Sequence, residues 1–174
     1  MPGVLRRERG GYEDLQEEGG DVVSRAKDIG TRAETAIVRW AREHGFPGAD
    51  RGPLRGAKDQ GDVLLCPGII VESKSHKSAA AGQVGAKQLH AWLMETDVEA
   101  EHAGADFALL VVKRSGTADP GKWWCYMRLG EWLRLTGAHL PLPDPSQPVC
   151  VSLASAAAVL RSAGYGTAPE GETL

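Results

Sequence analysis

The sequence predicts an α/β domain in which a mixed β-sheet is flanked by helices. Three observations carry this. Stretches with helical spacing of apolar residues alternate with short β-branched runs in the order α-β-β-α-β-β-α, with room for one more short strand before the second helix. Two of those runs, DVLL and IIVESK, are separated only by Cys66, Pro67 and Gly68, which reads as a hairpin. Antiparallel pairing there is incompatible with a doubly wound, all-parallel sheet. The chain has 174 residues and is 42 % hydrophobic, enough to fill the core of one domain.

The elements follow in order. Residues 1–21 are rich in Gly, Glu and Arg without a period and are expected to form a disordered arm. A single domain is expected over 22–164. Its first helix, about 31–44, carries the apolar stripe Ala33, Ile37, Trp40 and Ala41. Thr31 and Glu34 have capping-box spacing at its start, and Gly45 with Pro47 ends it. Residues 48–60 are a charged, Gly-rich loop with space for a short strand. Strands at about 62–66 and 69–75 are joined through Pro67 and Gly68. A helix over about 82–102 places Val84, Gln88, Ala91, Trp92 and Glu95 along one side. Strands FALLVVK (107–113) and KWWCYMRL (122–129) follow, and LGEWLRL reads as a short helix. LPLPDPSQP (140–148) is too rich in proline to be helical. Ser152 is a candidate N-cap for a last helix over 153–163, and 165–174 is expected to be a flexible tail.

Composition narrows the function classes. The formal net charge of -3 argues against a general nucleic-acid coat protein. Charge is uneven, however: Arg51, Arg55, Lys58, Lys74 and Lys77 outnumber Asp59, Asp62 and Glu72, with His76 beside them. Cys66, Cys125 and Cys150 form no C-x-x-C pair, so a zinc knuckle is not expected and the thiols read as core residues of a reducing compartment. His44, His90, His102 and His139 show no ligand spacing. MPGVLRRERGG has no apolar signal segment, and the longest apolar runs, such as FALLVV, are too short to span a bilayer. The expectation is a cytoplasmic protein, in a bacterium or a phage-infected cell, with no membrane partner.

The chemistry concentrates in GDVLLCPGIIVESKS. Alternation along VESK puts Glu72 and Lys74 on one face and Val71 and Ser73 on the other. Asp62 and Glu72 are each five residues from Pro67. A three-residue loop centred on Pro67 would set them opposite each other. A two-residue Pro67-Gly68 loop would pair Asp62 with Ser73, on the wrong face, unless a bulge corrects it. If they meet, two carboxylates converge and invite a hard cation such as Mg²⁺, which takes one or two protein carboxylates and adds water and phosphate oxygens. An ammonium beside that ion can orient or deprotonate a water, or stabilise charge on a phosphate. The plain alternative is a surface strand with an ordinary Glu–Lys pair.

Taken together, GD-x9-E-x-K after a helix bearing GTRAE resembles the P-D-(D/E)-x-K nuclease superfamily, and most of all its archaeal- and phage-type Holliday junction resolvases. The matching residues are Glu34, Asp62, Glu72 and Lys74, with Gln88 where related nucleases carry a helical Gln and Trp92 where some have Tyr. The likeness spans about 28–113. It implies a restriction-endonuclease-like core and a Mg²⁺- or Mn²⁺-dependent endonuclease, often a homodimer cutting branched DNA. Asp62, Glu72 and Glu34 are then the metal residues, Lys74 the water-positioning residue, and Gln88 an assistant. The sequence departs from the pattern at Gly61, which replaces the Pro, and Asp59 competes with Asp62; DVLL continuing as a strand favours Asp62.

Several neighbours carry two readings. Glu34 is explained equally by the capping box. Gln88, with Gln83 as rival, is either a water or phosphate holder or polar surface. Arg55, Lys58, His76 and Lys77 flank the site and suit phosphate contact, or are solvated charge. Lys113, Arg114 and Lys122 with Trp123, Trp124 and Tyr126 have the composition of a stacking patch, but core packing explains such tryptophans better. The expected function is a junction-resolving endonuclease. Its rivals are a nicking, flap or exonuclease of the same fold and a non-catalytic DNA-binding module.

Overall fold

Six strands lie side by side in chain order in one mixed sheet. They belong to a computed structural model whose described residues are 17–52, 60–75, 77–82 and 84–168. The strands are β1 (Asp50–Arg51), β2 (Val63–Cys66), β3 (Ile69–Lys74), β4 (Phe107–Val112), β5 (Trp124–Arg128) and β6 (Pro148–Ser152). Every neighbouring pair is antiparallel except β3 and β4. A parallel step needs a crossover. The long helix α1 (Glu17–Glu43) precedes the sheet and cannot supply it; α2 (Lys77–Ala80) and α3 (Ala86–Ala103) do. The remaining helices are α4 (Leu129–Leu135) and α5 (Leu153–Ser162).

Two cores sandwich the sheet. On one face Ala33, Ile37 and Ala41 of α1 and Leu153 and Leu160 of α5 pack on Val63, Val71, Leu109 and Val111. On the other, Leu93 of α3 packs on Leu110 and Val112. Successive β4 residues therefore serve opposite faces, and both faces are covered, which is why FALLVV is apolar throughout. Each such fully buried aliphatic side chain contributes about 1.5–3 kcal/mol. This layering leaves β3 internal, between β2 and β4, so a charged residue on it meets protein rather than water.

Several boundaries differ from the sequence reading. The first helix begins at Glu17, inside the segment expected to be an arm, while residues 1–16 lie outside the described set. Thr31 is thus interior to α1, its carbonyl accepting from Thr35 Oγ1 at 2.8 Å, and the capping box does not form. Gly30, just ahead of the predicted helix start, sits within the helix; one interior glycine costs only about 1 kcal/mol. The end at Gly45 is as expected, with φ 95°. The predicted helix over 82–102 starts at Ala86, with α2 as a separate turn before it. The strand predicted over 122–129 starts at Trp124, because Pro120–Lys122 form a 3-10 turn capped by Asp119, which accepts from Gly121 N.

The strand β6, not predicted, begins on the last residue of the Pro-rich connection. Pro148 occupies its first position on a sheet edge, where a missing N–H is tolerated. Edge placement also exposes Cys150, against the expectation of a core thiol, while Cys66 and Cys125 are buried. Ser152 caps α5 as expected, accepting from Ser155 N at 3.1 Å. Residues 165–168, read as tail, dock: Thr167 N donates to Gly45 O at 2.7 Å, and Tyr165 packs edge-on against Phe107. Residues 169–174 lie outside the described set.

Candidate active site

The β2–β3 hairpin resolves the question of register. Its turn is the two-residue one, with Cys66 opposite Ile69 and Gly68 at φ 85°. Unbroken, that register would pair Asp62 with Ser73. A bulge between Leu64 and Cys66 inserts Leu65, and beyond it Leu64 faces Ile70 and Val63 faces Val71. The next position outward sets Asp62 across from Glu72, and opposed residues share a face. Asp62 is locked there from both sides. Its Oδ2 accepts from Ser73 N at 2.9 Å, and its carbonyl accepts from Gly52 N at 2.8 Å. Gly61, at φ 86°, makes the bend that feeds it in.

Glu72 and Lys74 are not a surface pair. Lys74 Nζ donates to Glu72 Oε1 at 2.7 Å, and the two side chains are only 13 % and 8 % exposed. A buried ion pair loses much of its Coulomb gain to desolvation. Such a pair in mid-sheet is a poor way to gain stability and is not the surface-strand alternative. Lys74 Nζ also donates to Glu95 Oε2 of α3 at 2.8 Å. Burial pulls the Lys74 pKa down, but the hydrogen bonds and charges of Glu72 and Glu95 outweigh it, and the net shift is upward. The amine is held as an ammonium.

Asp62 is affected most. Burial first, then the Glu72 charge and more weakly that of Glu34, push its carboxyl up to about 7, against the lowering effects of the Ser73 N–H and the Lys74 charge. All four chemically expected groups therefore feel one another at Asp62. A carboxyl raised in this way, beside a second carboxylate, is what a divalent cation would relieve.

The sites are not drawn together equally. Glu34 stands on α1 and is tied to Arg51 of β1, whose Nη2 and Nε donate to Glu34 Oε2 at 2.6 and 2.9 Å. Among the described residues, the acidic group with carboxylate oxygens all within 4.8 Å is Glu72, Glu95 and Glu99. Asp62 and Glu34 stand outside it, so the expected Asp62–Glu72–Glu34 set is a neighbourhood rather than a preformed three-ligand cage. Gln88 is exposed, seven residues before Glu95 on the same helix, and no hydrogen bond among the described residues joins it to Asp62, Glu72 or Lys74. Two turns of helix, about 10 Å, separate those positions along the axis.

Arg55, Lys58, Asp59, His76 and Gln83 lie outside the described residues, and of Lys77 only the place at the start of α2 is described. The basic-aromatic segment resolves as core packing: Trp123 is fully buried and Trp124 packs on the α3 side. Lys113 lies over the Trp123 ring and Arg114 over that of Trp124. Sequence reasoning passed over Glu95 and Glu99 as site residues. Their i, i+4 spacing on α3, on the face turned to the sheet, was the available signal.

Comparison with known protein families, with characterised proteins and with solved structures found no match. Among the described residues, no helix is long and apolar enough to cross a membrane.

Proposed function

We propose that this chain is a divalent-metal-dependent endonuclease with a restriction-endonuclease-like core, acting on branched DNA as a junction resolvase. The observation that carries the reading is the bulged register of the hairpin, which one position past the Val63–Val71 pair brings Asp62 opposite Glu72, with the Lys74 ammonium hydrogen-bonded to Glu72. The mixed sheet, with its one parallel step between β3 and β4, is consistent with that core.

Asp62 and Glu72 would hold Mg²⁺ or Mn²⁺, with Glu34 assisting from α1 once it parts from Arg51. When bound, the ion would polarise a phosphate oxygen and acidify a water. Lys74, kept charged by two carboxylates, suits charge stabilisation and water positioning rather than proton removal. Gln88, on the exposed side of α3, suits a contact made only when substrate is present. Arg55, Lys58, His76 and Lys77 flank the hairpin in sequence and suit phosphate contact. A homodimer would present two such sites to two of the four strands of a junction.

The test is cleavage of a synthetic four-way junction with Mg²⁺, set beside flap, nicked and linear DNA, because the same chemistry serves each and fold does not fix substrate. Equal cleavage by wild type and Glu72→Ala would refute the assignment. The second reading, a DNA-binding module without catalysis, predicts junction binding with no product at any Mg²⁺ or Mn²⁺ concentration.

A further inference from the structure

We infer that Glu95 is a positioning residue for Lys74, anchoring its ammonium against Glu72 from the α3 side of the site. For the chemistry of Lys74 the inference rests on the nuclease reading; for the anchor it rests on geometry.

Lys74 ends a flexible four-carbon stem whose rotamer freedom is worth about 2 kcal/mol. Glu72, two residues back on the same strand, holds one side of the ammonium at 2.7 Å. That contact alone leaves the amine able to pivot around a single acceptor. Glu95 adds a second acceptor at 2.8 Å from a different element, so two near-equal bonds fix the ammonium between β3 and α3. The two acceptors are unlike: the Glu72 side chain is 8 % exposed and that of Glu95 51 %. Glu95 thus closes the arrangement from the solvent rim. Losing it would free Lys74 without opening the core, since the Glu95 side chain is half exposed and the buried residues of α3 are Leu93, Thr96 and Glu99. Alanine is also the best helix former for the vacated position.

Glu95 acts through Lys74 and need not touch substrate. Its removal should therefore lower turnover and leave substrate affinity alone, because the misplaced charge is felt most where charge develops.

The experiment uses the full chain with Glu95→Ala, Glu95→Gln and, to identify the modified peptide, Lys74→Ala. Brief labelling with an amine-reactive ester, read by mass spectrometry at Lys74, should rise about tenfold in Glu95→Ala and less in Glu95→Gln, which keeps an acceptor. On the cleaved DNA, kcat should fall by about 10–100-fold with KM within about twofold, and Glu95→Gln should recover part of the loss. Lys74 labelling equal in wild type and Glu95→Ala overturns the anchor. A loss confined to KM overturns the positioning role. If wild type cuts no DNA, the nuclease reading fails, and the labelling result alone still decides whether Glu95 holds Lys74.

Discussion

Asp62 comes opposite Glu72, one position beyond the Val63–Val71 pair, because one extra residue, Leu65, is inserted in β2. A two-residue turn alone would have aimed Asp62 at the opposite face of the sheet. The bulge reverses that, and the backbone N–H of Ser73 then fixes the carboxylate at 2.9 Å. The closeness of the Glu72 charge to Asp62 follows from this one irregularity.

Gly61 should tolerate no side chain. At φ 86° an alanine is strained by about 1–2 kcal/mol, and its Cβ would also meet Ile70 Cδ1 at 3.1 Å. Gly61→Ala should lower the thermal midpoint by about 2–8 °C, read by circular dichroism. An unchanged midpoint would show that the lead-in to Asp62 does not need glycine.

The raised Asp62 pKa sets a pH dependence with a definite sign. In the unfolded chain the carboxyl titrates near 3.8, and in the fold at about 7. Between those values the native state binds the extra proton, so the Asp62 contribution favours the fold at the acid end and is lost as pH rises through about 7. Asp62→Asn should remove this slope and be more stable than wild type at pH well above it. Urea unfolding across the range measures both; an identical slope in the variant refutes the shift.

Breaking the buried pair should cost more than replacing it. Lys74→Met leaves Glu72 charged in the sheet interior and should destabilise the protein by about 3 kcal/mol, whereas Lys74→Met with Glu72→Leu should recover most of that. Chemical denaturation of the two variants decides it. Equal losses would mean that the pair is solvated in solution.

Catalysis should separate the roles of the hairpin residues. Glu72→Ala should abolish Mg²⁺-dependent junction cleavage, whereas Lys74→Ala should retain metal binding and lose about 10²–10³ in kcat. Equal loss of metal binding in both variants would make Lys74 structural.

Much of the molecule was legible in the sequence. The unbroken apolar run FALLVV, the helical stripe Ala33-Ile37-Trp40-Ala41 and the hairpin runs each carry a pattern that burial enforces, and the fold uses them as read. The boundaries were less so, because local signals compete with packing. Thr31 and Glu34 have the spacing of a helix start yet lie inside α1, and Pro148 belongs to a Pro-rich connection yet starts an edge strand. In the site, the shared face of Glu72 and Lys74 was readable from alternation. The position of Asp62 was not, because turn length and bulge act against each other and Leu65 carries no mark of its own. Glu95 could be placed on one side of its helix, but its link to Lys74 could not be read, because the two are 21 residues apart and only the crossover brings them together.

Titration calorimetry of Mn²⁺ into wild type, Asp62→Asn and Glu72→Gln, in buffers of different ionisation enthalpy, bears most directly on the pairing of Asp62 with Glu72 as a metal site. Because Asp62 must lose its proton to ligate, binding to wild type should release about one proton at pH 6 and close to none at pH 8, and both variants should lose the event. Mn²⁺ binding of wild-type strength in Asp62→Asn, with the same proton release, would contradict it.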